Sequence, residues 1–84
     1  FPNPFNPVTQ INFDIAEKTN VQLTIYNLLG EKITTLVDEN MSAGSYSKSW
    51  HGKGFTGIYV PSGIYFYKLS TDNYTQTNKM ILMK

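Results

Sequence analysis

The stretch Pro61-Ser62-Gly63-Ile64-Tyr65-Phe66-Tyr67-Lys68-Leu69 constrains this chain most, because it joins a tight turn to the most aromatic and β-prone run in the sequence. Side chains alternate along a strand, so Tyr65, Tyr67 and Leu69 share one face and Ile64, Phe66 and Lys68 the other. Large apolar groups on both faces predict a central strand, either covered on both sides or buried on one and paired with aromatic neighbours on the other. Pro61 fixes the entry to the turn, and Gly63 permits a positive φ or a close backbone approach.

The other apolar segments carry the same period of two. Residues 9–15 set Ile11, Phe13 and Ile15 against Gln10, Asn12 and Asp14, and residues 21–26 set Val21, Leu23 and Ile25 against Gln22, Thr24 and Tyr26. Between them, residues 16–20 read as a polar turn. After the turn Asn27-Leu28-Leu29-Gly30-Glu31, residues 32–37 read as a strand whose alternation breaks at Ile33, Leu36 and Val37, which predicts a bulge or an early end. Residues 38–44 read as a loop. Residues 45–50 place Tyr46, Lys48 and Trp50 on one face, with Trp50 in the core and the Lys48 ammonium lifted to water. The glycine-rich loop of residues 51–57 leads through Ile58, Tyr59 and Val60 to the organising strand, and residues 74–83 form the last one. Strands at this spacing, with turn signals between them and little support for a helix, predict an all-β sandwich of about seven strands. Its expected core is Ile11, Phe13, Val21, Leu23, Ile25, Trp50, Tyr65, Tyr67 and Leu69. The Gly63-Ile64-Tyr65 spacing resembles a tyrosine corner, in which the hydroxyl of a Tyr near a strand start returns to the upstream backbone.

Eighty-four residues make one small domain that buries only about 60–65% of its unfolded surface. Its surface relies on uncharged polar residues, since 15% of the chain is charged, and this balance favours an exported protein. The seven basic residues are scattered lysines, and a net charge of +1 provides no field for nucleic acid or an anionic membrane. There are no cysteines to form disulfides or thiolate sites. The lone His51 has neither a nucleophile nor a carboxylate at useful spacing, so the chain reads as non-catalytic and without a cofactor. Asp38, Glu39 and Asn40 are a weak Ca²⁺ pattern, better read as a solvated turn. Phe1 in place of an initiator Met suggests a piece cut from the C-terminal end of a longer protein. The proline-rich residues 1–8 read as an extended lead-in laid on the sandwich edge.

Three separated motifs resemble the type A C-terminal sorting domain of the type IX secretion system. They are Phe1-Pro2-Asn3-Pro4-Phe5-Asn6-Pro7, then Tyr26-Asn27-Leu28-Leu29-Gly30 with Ser62-Gly63-Ile64-Tyr65-Phe66-Tyr67-Lys68-Leu69, and Lys79-Met80-Ile81-Leu82-Met83-Lys84. The chain is also similar to an immunoglobulin-like domain of the flagellar hook-capping protein. The resemblance implies an immunoglobulin-like sandwich that follows an upstream cargo, is read by the outer-membrane export machinery, and passes through the periplasm to the cell surface or beyond. Carried over, the signal rests on Pro2, Asn3, Pro4, Gly63, Tyr65, Lys79, Met80, Ile81, Leu82, Met83 and Lys84. His51 and Lys48 depart from the family pattern, where an acidic and an aliphatic residue are common. Recognition is expected to need residues 79–84 and folding to proceed without them. The isolated domain is expected to be a monomer. The rival reading is a carbohydrate-binding or spacer module, with Tyr26, Phe55, Tyr59 and Tyr74 as the aromatics that would meet a polysaccharide. A row of such aromatics on one face would favour sugar, and an exposed terminal strand would favour docking by strand addition.

Overall fold

A computed structural model describes residues 8–83, and among them there are six strands and no helix. Strands β1 (Thr9–Ile15) and β4 (Gly44–Trp50) pair antiparallel as a two-stranded sheet. Strands β2 (Thr19–Asn27), β3 (Lys32–Met41), β5 (Gly63–Thr71) and β6 (Thr75–Leu82) form an antiparallel sheet in the order β3-β2-β5-β6. The alternating apolar residues of both sheets face one another, as the pattern requires. Ile11, Phe13 and Ile15 of β1 and Trp50 of β4 pack with Val21, Leu23, Ile25, Val37, Tyr65, Leu69 and Leu82 of the larger sheet. Full burial of each large apolar side chain contributes about 1.5–3 kcal/mol. Trp50 spans the two layers, its ring 5.2 Å from that of Tyr65 at 64°, an edge-on contact. Its indole N–H donates to the Lys53 carbonyl at 3.0 Å, so the polar end of the side chain is satisfied inside the fold.

Several expectations need correction. The described residues hold six strands where about seven were expected. Residues 38–41 belong to β3 instead of a loop, and the β3–β4 connection is correspondingly tight. Their low β propensity is overridden by pairing with the start of β2, where Gln22 Nε2 donates to Asp38 Oδ1 at 3.4 Å and Asn40 Nδ2 to Asn20 Oδ1 at 3.2 Å. The same pairing draws Thr19 and Asn20 into β2. The irregularity expected in β3 is present as register shifts between Leu23 and Thr24 and between Ile25 and Tyr26. Leu36 and Ile33 are left over in the ladder and packed against the core.

Tyr67 is half-buried, not a full core residue. It lies beside a cleft that it lines with Phe13, Leu69, Tyr74 and Asn78, and its hydroxyl accepts a 2.8 Å hydrogen bond from Asn78 Nδ2. Tyr65 behaves as the corner spacing predicts: its hydroxyl donates to the Pro61 carbonyl at 2.7 Å. Burial raises the pKa of that phenol above its ordinary value.

A candidate recognition end

Strand directions gather one set of loops at each end of the sandwich. At one end lie Val8 at the start of β1, the β2–β3 turn, the β4–β5 loop, the start of β5 and the end of β6. Three stretches that are far apart in sequence meet there through register alone. Asn27 pairs with Tyr65, Tyr65 with Met80, Ile64 with Ile81 and Gly63 with Leu82.

The β2–β3 turn is built around one side chain. Asn27 Oδ1 accepts from the backbone N–H groups of Leu29 at 3.0 Å and Glu31 at 2.9 Å, and Asn27 Nδ2 donates to Glu31 Oε1 at 2.7 Å. Gly30 closes the turn by donating its N–H to the Asn27 carbonyl, and its φ of 84° swings the chain so that Glu31 O returns to accept from the Asn27 N–H. With its backbone groups bonded internally, the turn projects Leu28 and Leu29 into water, the latter 84% exposed. The β4–β5 loop is closed in the same way. Val60 N–H donates to Gly52 O, Gly54 N–H to Ile58 O and Phe55 N–H to Ile33 O, all at 2.9–3.1 Å. Val60 then packs on the core while Phe55 and Ile58 face solvent.

β6 is an edge of the four-stranded sheet and alternates cleanly. Leu82 is 1% exposed, Met80 packs against the core and Asn78 holds the Tyr67 hydroxyl. Lys79, Ile81 and Met83 occupy the opposite parity and are exposed, Ile81 by 61% and Met83 by 75%. The expected sorting residues therefore divide. Gly63, Tyr65, Met80 and Leu82 build the end, whereas Lys79, Ile81 and Met83 are displayed on it. Because Leu82 is core, removal of residues 79–84 would disturb the fold, contrary to the expectation that folding proceeds without them. Pro2, Asn3, Pro4 and Lys84 lie outside the described residues, as does the lead-in apart from Val8.

Sequence reasoning missed Leu28, Leu29 and Ile58 as displayed apolar groups. Two leucines held between Asn27 and Gly30 were the available signal, since turn tips seldom bury their side chains. The four expected sugar aromatics are not brought together. Tyr26 sits on the outer face of β2, while Phe55 and Tyr59 belong to the β4–β5 loop, where Lys53 Nζ lies 4.8 Å from the Tyr59 ring centre. Tyr74 lies at the opposite end, its hydroxyl 3.4 Å from the Asp14 carbonyl it donates to. Asp38 and Glu39 point to opposite sides of β3, Asp38 paired with Gln22 and Glu39 with Val21, so the weak Ca²⁺ pattern does not converge. Among the described residues no group of three or more His, Asp or Glu side chains gathers in metal-binding geometry.

Comparison with known proteins agrees with this architecture. The crystal structure of FlgD from P. aeruginosa superposes with a TM-score of 0.69 at 24% sequence identity, over 89% of this chain and 59% of that one. At this identity the likeness establishes the fold, an immunoglobulin-like sandwich. No curated protein matches the sequence. A family model described as the secretion system C-terminal sorting domain matches residues 1–83. Such a domain implies recognition by the type IX export machinery and an exported protein. From the coverage of the match, and with the stretches 26–30, 62–69 and 79–83 brought together by β2, β5 and β6, the chain belongs to the family of type IX secretion system C-terminal sorting domains.

Proposed function

We propose that this chain is a single, non-catalytic sorting domain that carries an upstream cargo across the outer membrane and on to surface attachment, and that the export machinery reads it at the end where β6 finishes. The observation that carries this reading is the edge position of β6 together with the display of Lys79, Ile81 and Met83 along it. An edge strand offers unpaired backbone N–H and C=O groups to an incoming strand, and its alternate side chains select the partner. Leu28 and Leu29 after β2, and Phe55 and Ile58 in the loop that bonds to Ile33 of β3, extend exposed apolar groups from that edge across the same end of the sandwich. Gly63 and Tyr65 act indirectly by holding the start of β5 against Met80 and Leu82.

The test is export of an inert periplasmic cargo fused ahead of residues 1–84 in a bacterium that possesses the type IX system. The intact fusion should reach the cell surface or the medium. The triple variant K79T/I81T/M83T keeps Met80 and Leu82 in the core and retains strand-forming residues. It should fold and remain in the periplasm. Retention of the intact fusion, or parental export of the folded triple variant, would overturn the reading.

A further inference from the structure

We propose that the outer face of the four-stranded sheet binds an anionic polysaccharide, a chain of carboxylated or sulfated sugars lying across the strands. The site lies on the face of the sheet and shares Lys79 with the strand edge invoked for sorting. Register places Lys32 opposite Tyr26, Tyr26 opposite Phe66 and Phe66 opposite Lys79, so one row crosses all four strands in the order cation, ring, ring, cation. The row faces away from the core, because its sequence neighbours Ile25 and Tyr65 are buried and Met80 packs inward. Both lysines are exposed and both rings are half-buried, which leaves part of each ring open to solvent.

The adjacent rows add to the pattern. Lys68 stands between Thr24 and Thr77 on one side, and Ile64 pairs with Ile81 on the other. No acid occupies these three rows. The first carboxylate on the face, Asp38, lies further along and is engaged by Gln22, and Glu31 beside Lys32 is held by Asn27. Three lysines with aromatic or threonine cross-strand neighbours make a local positive strip on a chain whose net charge is only +1.

Geometry favours a glycan over other anions. Neighbouring strands are about 4.8 Å apart, a pitch comparable to the advance per ring of an extended pyranose chain. A chain crossing the strands thus sets successive rings over Tyr26 and Phe66, where the C–H faces of the sugars stack on the aromatics. Its carboxylates or sulfates then fall to Lys32 and Lys79, whose ammonium groups act as point charges and tolerate either anion. A peptide would instead run along an edge strand, where backbone hydrogen bonds supply its affinity. Nucleic acid requires a broader basic field than three lysines provide.

The test is titration of the 84-residue chain with hexagalacturonate, followed by amide chemical shifts and calorimetry. Saturable binding should perturb the amides of Tyr26, Phe66, Lys32 and Lys79, weaken as salt rises, and extend to a sulfated oligosaccharide. Lys32→Gln with Lys79→Gln, both at exposed positions, should weaken it about tenfold, and Tyr26→Thr should weaken it comparably. Lys18→Gln, at the far end of the sandwich, should leave it unchanged. Equal binding of polyglutamate would overturn the proposal in favour of a simple acidic-peptide patch, and equal binding of cellohexaose would overturn its anionic part. Absence of hexagalacturonate binding, or full binding by the double lysine variant, would overturn it outright.

Discussion

The two ends of the sandwich solve the same problem differently. At the end formed by the β1–β2 turn, the β3–β4 hairpin and the β5–β6 turn, side chains are spent on closing the backbone. Tyr46 Oη donates to Ser42 O at 2.7 Å, Thr71 Oγ1 accepts from the N–H groups of Asn73 and Tyr74 at 3.2 Å each, and Thr19 Oγ1 receives the Asp72 N–H at 3.3 Å. Tyr74, the large aromatic of that end, reaches back to Asp14. At the other end, Asn27 alone closes the β2–β3 turn, and the β4–β5 loop is closed by backbone bonds and by two residues of the core, Trp50 donating to Lys53 O and Tyr65 to Pro61 O. The side chains are then left for display, and they are leucine, isoleucine, phenylalanine and methionine. A small domain with little core to spare gains nothing in stability from exposing such groups. Their concentration where the ends of β2, β5 and β6 meet is the difference on which the proposed recognition at that end rests.

The largest expected effect falls on the layer that both ends share. Trp50→Ala removes the side chain that spans the sheets and should cost about 3–5 kcal/mol, enough to unfold a domain with a margin of about 5 kcal/mol. Chemical denaturation checks this, and a midpoint near the parental value would contradict the layer assignment. A sharper contrast comes from neighbours in β6. Leu82→Ala should cost about 2–5 kcal/mol, whereas Ile81→Thr should stay within about 0.5 kcal/mol. Comparable losses at the two positions would show that the strand does not separate a building face from a display face.

That contrast also shows what the sequence could and could not reveal. Burial enforces the period of two at Ile11, Phe13, Val21, Leu23 and Ile25, so strands and core are legible there from the order of residues alone. The parity of residues 79–83 is equally visible, yet the resemblance groups all of them as one signal. Only the pairing of Gly63 with Leu82 and Tyr65 with Met80 assigns Met80 and Leu82 to the interior. Residues 38–41 are illegible for a different reason. Their polar side chains carry no burial signal, and their strand state follows from Asn20 and Gln22 across the ladder. The Lys32-Tyr26-Phe66-Lys79 row is hidden likewise, because cross-strand register joins residues 47 positions apart.

Smaller effects refine the building residues of the contact end. Tyr65→Phe removes the hydrogen bond to Pro61 and should cost about 0.5–1.5 kcal/mol near neutral pH. The raised phenol pKa means that the folded state holds this proton more tightly than the unfolded chain. The stabilisation is therefore complete below the ordinary tyrosine pKa of 10.0 and is lost as pH rises through the folded value. Denaturation from pH 8 to 11.5 should accordingly show the parent losing stability faster than Tyr65→Phe above about pH 10, and parallel profiles would remove the corner's role. Gly63→Ala places a side chain at φ 155° with no atom within 4 Å of its Cβ, so it should cost about 1 kcal/mol through backbone strain alone. Gly54 has no positive φ and its added Cβ would make an ordinary 3.4 Å contact with the Ile33 carbonyl, so Gly54→Ala should be close to neutral.

The claim that recognition resides at one end is tested most directly by measuring surface-exposed cargo on whole cells for two matched, folded variants of the fusion. One carries L28T/L29T/I81T/M83T at the apolar end, and the other carries E17T/N40T/D72T/N73T at the polar end. The account predicts loss of surface cargo with periplasmic accumulation for the first and parental export for the second. Parental export of the first, or equal loss in both, would contradict it.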